Sequence, residues 1–257
     1  MPGFTGARAR RVIHEAASRG FSREAAAYER GRPGYPSAAF TWLIAALDAG
    51  PGRVVVDVGA GTGKLTRHLQ TSGAEIVAVE PVAAMRELLE TGVPGVRTID
   101  ASAESLPLGD GSVDAVVVGQ AFHWFDGPRA LAEFHRVLRP GRRLGLIWNR
   151  RREDQPLQHA IETIIAPYRG SAPSHKSGNW RRAFEETSLF ELVEELAVAH
   201  DQDIDRDILV DRVASTSFIA ALPEDERADV LTRVAALVER EPPRLAYLTE
   251  AYVFGRR

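Results

Sequence analysis

The chain is 257 residues long, with 44% hydrophobic and 26% charged residues and a formal net charge of −3, a balance that leaves room for a sizeable core and excludes a disordered or coiled-coil chain. The same balance gives no electrostatic footprint for nucleic acid or an anionic membrane. There is no cysteine, which excludes disulfides, thiolate metal sites and cysteine nucleophiles.

Residues 1–20 are small, basic and punctuated by glycine, and read as a poorly ordered start. Arg8, Arg10 and Arg11 are not followed by the apolar stretch of a secretory signal. No apolar run approaches the ~18 residues of a membrane span, so a cytoplasmic location is expected. Residues 22–30 read as a short helix. A proline-fixed turn follows, Gly31-Arg32-Pro33-Gly34-Tyr35-Pro36, and then a helix over 37–48 with Ser37 as N-cap.

From there short β-branched runs alternate with helical patterns. Val54–Val58, Ile76–Val79, Val113–Val118 and Leu144–Trp148 read as strands buried on both faces, with a weaker strand near Val96–Ile99. Helices are expected over 64–71, 82–91 and 127–138. This alternation means an α/β fold with helices on both faces of the sheet. Farther on, 156–168, 178–187, 205–214 and 223–239 read as helices, with Pro223 at a first helical position. Phe190–Ala199 and Tyr247–Phe254 read as strands. No linker divides the chain, so residues 21–257 are expected to form a single domain.

The sharpest local feature is Asp57-Val58-Gly59-Ala60-Gly61-Thr62-Gly63-Lys64-Leu65-Thr66, placed between a strand and a helix. A phosphate-binding P-loop requires Gly at 58 and Ser or Thr at 65, where the chain has Val58 and Leu65. A dinucleotide fingerprint requires a third glycine where Lys64 stands. What remains is G-x-G-x-G after an acidic residue near the strand end. It is joined in order by Glu80 at the end of the second strand, by Asp100-Ala101-Ser102-Ala103-Glu104-Ser105-Leu106-Pro107 after the third, and by Gly119-Gln120-Ala121-Phe122-His123-Trp124-Phe125 after the fourth. Arg139-Pro140-Gly141-Arg142 forms a turn before the fifth.

These motifs, covering about residues 50–150, resemble class I S-adenosylmethionine-dependent methyltransferases of the methyltransferase type 11 group. Tyr28, Arg32-Pro33-Gly34-Tyr35-Pro36 and Gln120–Phe125 resemble a small-molecule branch near the trans-aconitate methyltransferase-like enzymes. The resemblance implies a Rossmann-like, seven-stranded, mostly parallel sheet, with Tyr247–Phe254 as the antiparallel strand. It implies a methyltransferase domain with a cofactor-binding core over 50–150, helical acceptor-side insertions over 151–243 and a closing strand over 244–257. S-adenosylmethionine is the implied cofactor and a small molecule the implied acceptor, with no metal, nucleic acid or membrane partner; the oligomeric state stays open.

Cofactor contacts are expected from Asp57, Gly59, Gly61, Gly63, Glu80, Pro81, Ala103, Glu104, Gln120, Tyr28 and Arg32. Glu80 is expected to accept from both ribose hydroxyls and, as a strand-end acid, to contribute little to stability. His123 is the candidate general base, against a structural role in a turn. Trp124, Phe125, Trp148 and Asn149 are the candidate acceptor pocket, with aromatic faces suited to a sulfonium. Two other readings remain: a protein that binds S-adenosylmethionine without transferring its methyl, and a nicotinamide-dependent oxidoreductase on a similar sheet.

Overall fold

A computed structural model of the chain describes residues 25–170, 178–238 and 244–257. The poorly ordered start expected over 1–20 lies outside the described residues, as does the last residue of the helix expected over 223–239.

The first described helix is α1 (residues 25–31). After the proline turn come α2 (Ser37–Ala46), β1 (Val54–Val58), α3 (Lys64–Leu69), β2 (Glu75–Val79), α4 (Ala83–Gly92), β3 (Arg97–Ile99) and β4 (Val113–Gly119). Next are α5 (Gly127–Val137), β5 (Leu138–Arg151), α6 (Pro156–Ile165), α7 (Asn179–Glu185) and β6 (Phe190–Asp203). The chain ends with α8 (Arg206–Ala214), α9 (Ser217–Ala220), α10 (Glu224–Ala235) and β7 (Arg244–Arg256). None of the described helices is long and apolar enough to cross a membrane.

The seven strands form one sheet in the order β3-β2-β1-β4-β5-β7-β6. β1 pairs in parallel with β2 and β4, and the pairs β2–β3 and β4–β5 are also parallel. β7 is antiparallel to both β5 and β6, as expected for the closing strand. Strand pleating divides the core between two faces. Val55, Ala115, Val117, Ile147 and Ala251 pack with Leu43 and Leu47 of the α2 region. Val56, Val58, Val116, Val118, Leu146 and Trp148 pack with Leu131 and Phe134 of α5. A third cluster joins Ile161 and Ile165 of α6, Leu209 and Val213 of α8 and Val230 and Val234 of α10 to Leu245 and Tyr247 of β7. The strand order reverses between β1 and β4, which opens a crevice beyond their carboxyl ends.

Several boundaries differ from expectation. β5 is assigned from Leu138 because Leu138 pairs with Val113; the register then jumps to Arg143 opposite Ala115, so the Arg139–Arg142 turn becomes an irregularity inside the strand. Asp114 holds that irregularity, pairing with Arg139 and Arg142. Helix α3 ends at Leu69 and one 3-10 turn continues to Ser72. Neither expected cap assignment holds: Pro36, not Ser37, occupies the N-cap of α2, and Pro223 is the N-cap of α10, one position before the helix.

Candidate functional site

β1 delivers the chain into the Gly59–Gly63 loop at the crevice. The loop is tied back to β2: the Gly59 and Ala60 amides donate to the Val79 carbonyl at 2.8 and 3.1 Å. The Glu80 carboxylate adds a second tie, accepting from the Gly61 amide at 2.8 Å and from the Val82 amide at 2.8 Å. Glu80 is buried, and that burial pushes its pKa up against the two backbone bonds that favour the charged form. It therefore brackets the loop and the start of α4. Each of its oxygens keeps lone-pair capacity toward the crevice.

The glycines divide by role. Gly61 has φ +60°, and a Cβ there would meet nothing within 4 Å; it borders open space that a ligand can enter. Gly63, expected at the cofactor, has φ +85° and faces α4 instead. A Cβ on it would stand 2.7 Å from Val93 Cγ2 and 3.0 Å from Leu89 Cγ. Its glycine is required by packing, and it does not line the cavity.

The cavity is a cleft with about 770 Å³ of empty space between its walls, open solvent included. Tyr28, Gly59, Gly61, Glu80, Pro81, Ala103, Glu104, Gln120, Trp124 and Phe125 line it, as the sequence led us to expect. Val82, Met85 and Ala101 add an apolar wall, with Ser102 beside them. Gln120, the residue after β4, has φ +61°, an uncommon conformation for a residue with a side chain and a mark of a constrained site. Glu104 is fixed by accepting from the Asp126 amide at 2.9 Å.

Two expected residues fall elsewhere. His123 sits partly buried on the 3-10 turn Phe122–Trp124, its ring centroid 5.1 Å from that of Trp124; it does not line the cavity, whereas Trp124 and Phe125 do. Trp148 is in the core, against Trp180 at 4.5 Å and Tyr252 at 6.1 Å. Adjacent strand residues point to opposite faces, so Trp148 and Asn149 cannot both reach one pocket. Asn149 is the one on the site side: its amide donates to the Gly34 carbonyl and its oxygen accepts from Thr249.

A polar recess continues the cavity on the α2 side of the sheet, bounded by Arg32, Tyr35, Asp57, Thr62, Asn149, Arg212 and Tyr247. Asp57 is fully buried. Its Oδ2 accepts from Thr66 Oγ1 at 2.6 Å, while Oδ1 finds no partner among the described residues. Burial, reinforced by the nearby Glu80 carboxylate, pushes the Asp57 pKa up to about 7. A cationic group entering the recess would supply the missing partner. Arg32 stacks over Tyr28 at 5.0 Å and donates to the Ser215 carbonyl at 3.1 Å. Burial, then the like charge of Arg212, lowers its pKa to about 9; it remains a cation at neutral pH.

Sequence reasoning missed Met85, Tyr35, Arg212 and Tyr247. Met85 carried a local signal, lying in the first turn of the helix after Glu80-Pro81. Arg212 lies in Val210–Phe218, a stretch that resembles the same small-molecule branch, but nothing in it marks Arg212 as a site residue; Tyr247 carried no signal, because topology alone brings β7 beside Arg32.

Residues 56–146 match the family described as "Methyltransferase domain". An uncharacterized methyltransferase of Mycobacterium tuberculosis is 40% identical over 222 residues, 86% of either chain. An uncharacterized methyltransferase-like protein of Schizosaccharomyces pombe is 33% identical over 240 residues, 90% of this chain and 93% of that one. Among solved structures, a candidate type II methyltransferase from Anaeromyxobacter dehalogenans superimposes with a TM-score of 0.63 at 25% identity, over 88% of this chain and 97% of that one. With the sheet order, the glycine loop and these relatives together, the chain belongs to the class I S-adenosylmethionine-dependent methyltransferase family.

Proposed function

We propose that this methyltransferase transfers a methyl group from S-adenosylmethionine to a small-molecule acceptor by in-line displacement. The observation that carries the reading is the placing of the Glu80–Gly61 bracket and the unpartnered buried oxygen of Asp57 in two adjoining cavities that share Tyr28, Gly59, Gly61 and Gln120 as walls. The bracket suits a ribose, since an ionised carboxylate accepts from both hydroxyls and donates to neither. Val82, Met85 and Ala103 offer an apolar slot for a base, and Glu104 stands beside it. Asp57 suits the ammonium of the methionyl part, and Arg32 its carboxylate.

Bound S-adenosylmethionine supplies an electrophilic methyl on a sulfonium centre. The chain's own work is positioning and exclusion of water. Trp124 and Phe125 wall the cavity with aromatic faces, which attract a sulfonium as they attract other onium groups. Gln120, in the left-handed region, turns the chain between β4 and these residues. His123 is not needed in this scheme. The same reading takes the described chain as one domain, because β5, β6 and β7 extend the sheet of β1–β4 and because α6, α8 and α10 pack over Tyr247 beside the recess.

Calorimetric titration with S-adenosylmethionine, S-adenosylhomocysteine and NAD tests the cofactor site. Saturable binding of the first two and none of NAD is expected; binding of NAD alone would return the oxidoreductase reading. Transfer of labelled methyl into a panel of metabolites tests the reaction. Tight cofactor binding with no labelled product from any acceptor class would leave a binding protein.

A further inference from the structure

Two arginines of the recess, Arg32 and Arg212, and a third on the strand beside it, Arg151, gather more positive charge than one cofactor carboxylate neutralises. Arg212 is 5% exposed. Its Nε donates to the Tyr247 hydroxyl at 3.2 Å, and its buried Nη1 has no partner among the described residues. The Tyr247 hydroxyl in turn donates to Gln202 Oε1 at 3.3 Å, which fixes it as the acceptor from Arg212. On β5, Arg151 stands directly opposite Tyr247 in the sheet register and shares its face with Asn149. The neighbouring Arg150 and Arg152 pair outward with Glu250 and Asp154. Arg151 Nη1 lies 3.9 Å from Glu162 Oε2 while Arg169 takes Oε1, so one carboxylate is shared between two guanidinium groups. Arg32, Arg151 and Arg212 lie close enough for their charges to act on one another.

A buried guanidinium N–H without a partner is costly, and a planar donor fork matches the paired oxygens of a carboxylate or phosphate. If Arg32 takes the methionyl carboxylate, Arg212 and Arg151 remain in excess. We propose that Arg212, Arg151 and Tyr247 form a subsite for an oxyanion carried by the methyl acceptor, next to the cofactor. The proposal rests on the methyl-transfer reading. The oxyanion is an anchor: an oxygen paired to guanidinium is a poor nucleophile, so the methylated atom is a different one, directed toward Trp124 and Phe125.

The test uses the whole chain saturated with S-adenosylhomocysteine, so that the cofactor carboxylate already occupies its place. Citrate and pyrophosphate are titrated by calorimetry against sodium chloride of matched ionic strength. Saturable binding of either is expected, and which of the two binds more tightly separates a carboxylate from a phosphate acceptor. Arg212→Gln should weaken it at least tenfold while S-adenosylhomocysteine affinity stays within about threefold. If Arg212→Gln fails to fold, Arg151→Gln carries the same expectation. Neither anion exceeding chloride, or a variant binding as the parent does, overturns the subsite. If S-adenosylhomocysteine does not bind the parent, the methyl-transfer reading fails; the same titration of the ligand-free protein then decides the subsite by itself.

Discussion

Replacing Glu80 tests the site and the fold at once. In the ligand-free protein its carboxylate accepts two backbone bonds of 2.8 Å, from Gly61 and from Val82. Hydrogen bonds to a charged group contribute about 1.5–3 kcal/mol each. Burial of the carboxylate opposes that gain, as its raised pKa shows, and water in the cavity can reach the amides once the side chain is gone. The net loss for Glu80→Ala is therefore about 1–3 kcal/mol, or roughly 2–6 °C in Tm for a chain of this length. Affinity for S-adenosylhomocysteine should fall about tenfold or more, since ~1.4 kcal/mol is a factor of ten. Glu80→Gln keeps one backbone bond but sets its amide donor against the other N–H, so it recovers little of the lost stability. Thermal unfolding of the ligand-free variants and calorimetry with S-adenosylhomocysteine measure the two effects separately. A Tm within 1 °C of the parent would show that the bracket contributes nothing; parental affinity would remove Glu80 from the cofactor site.

How much of this was legible depended on how local each feature is. β1 and β4 are continuous valine-rich runs, so their positions follow from the sequence. β5 was read too short because Arg139-Pro140-Gly141-Arg142 has no strand pattern, and it joins the strand only through pairing at Leu138. The outer ends of β6 and β7 pair with each other at the sheet edge, Asp203 with Arg244 among them, where no apolar pattern marks a strand. At the site, the glycine loop and Glu80 announce themselves within a single βα unit and the strand after it. Gly63 shows the limit of motif reading: the spacing marks a glycine, but the reason for it is Val93 and Leu89 on another helix. Trp148 was misplaced for a simpler cause, since pleating sends it and Asn149 to opposite faces. Of the arginine recess Arg32 was legible, as an expected cofactor contact; its meeting with Arg212 and Tyr247 was not, because α8 and β7 reach it only through topology.

Gly61→Ala should weaken S-adenosylhomocysteine at least tenfold by calorimetry, because the added methyl enters the cavity from a backbone at φ +60°; unchanged affinity would place the ligand elsewhere. Gly63→Ala should lower Tm by several degrees with a smaller effect on binding, its methyl colliding with Val93; a parental Tm would refute that packing account. His123→Ala should leave S-adenosylhomocysteine affinity within about twofold and turnover nearly unchanged, whereas a loss of ~10²–10⁴-fold in turnover would restore it as a general base. The last expectation concerns pH. Burial holds the Asp57 pKa up at about 7 in the ligand-free protein, against about 3.9 in an unfolded chain. Between those values the unfolded state ionises while the native state keeps its proton, so this group makes stability fall as pH rises through that window. Asp57→Asn removes that slope, and above neutral pH the variant should gain stability relative to the parent. Ligand binding reverses the preference, because an ammonium at Oδ1 favours the ionised carboxylate. Binding S-adenosylhomocysteine at pH 6 should therefore release protons and strengthen toward pH 8, where the release disappears. Calorimetry in two buffers of different ionisation enthalpy reads the proton count directly. Absence of proton release in the parent at pH 6, or the same release in Asp57→Asn, would show that the ammonium does not meet Asp57.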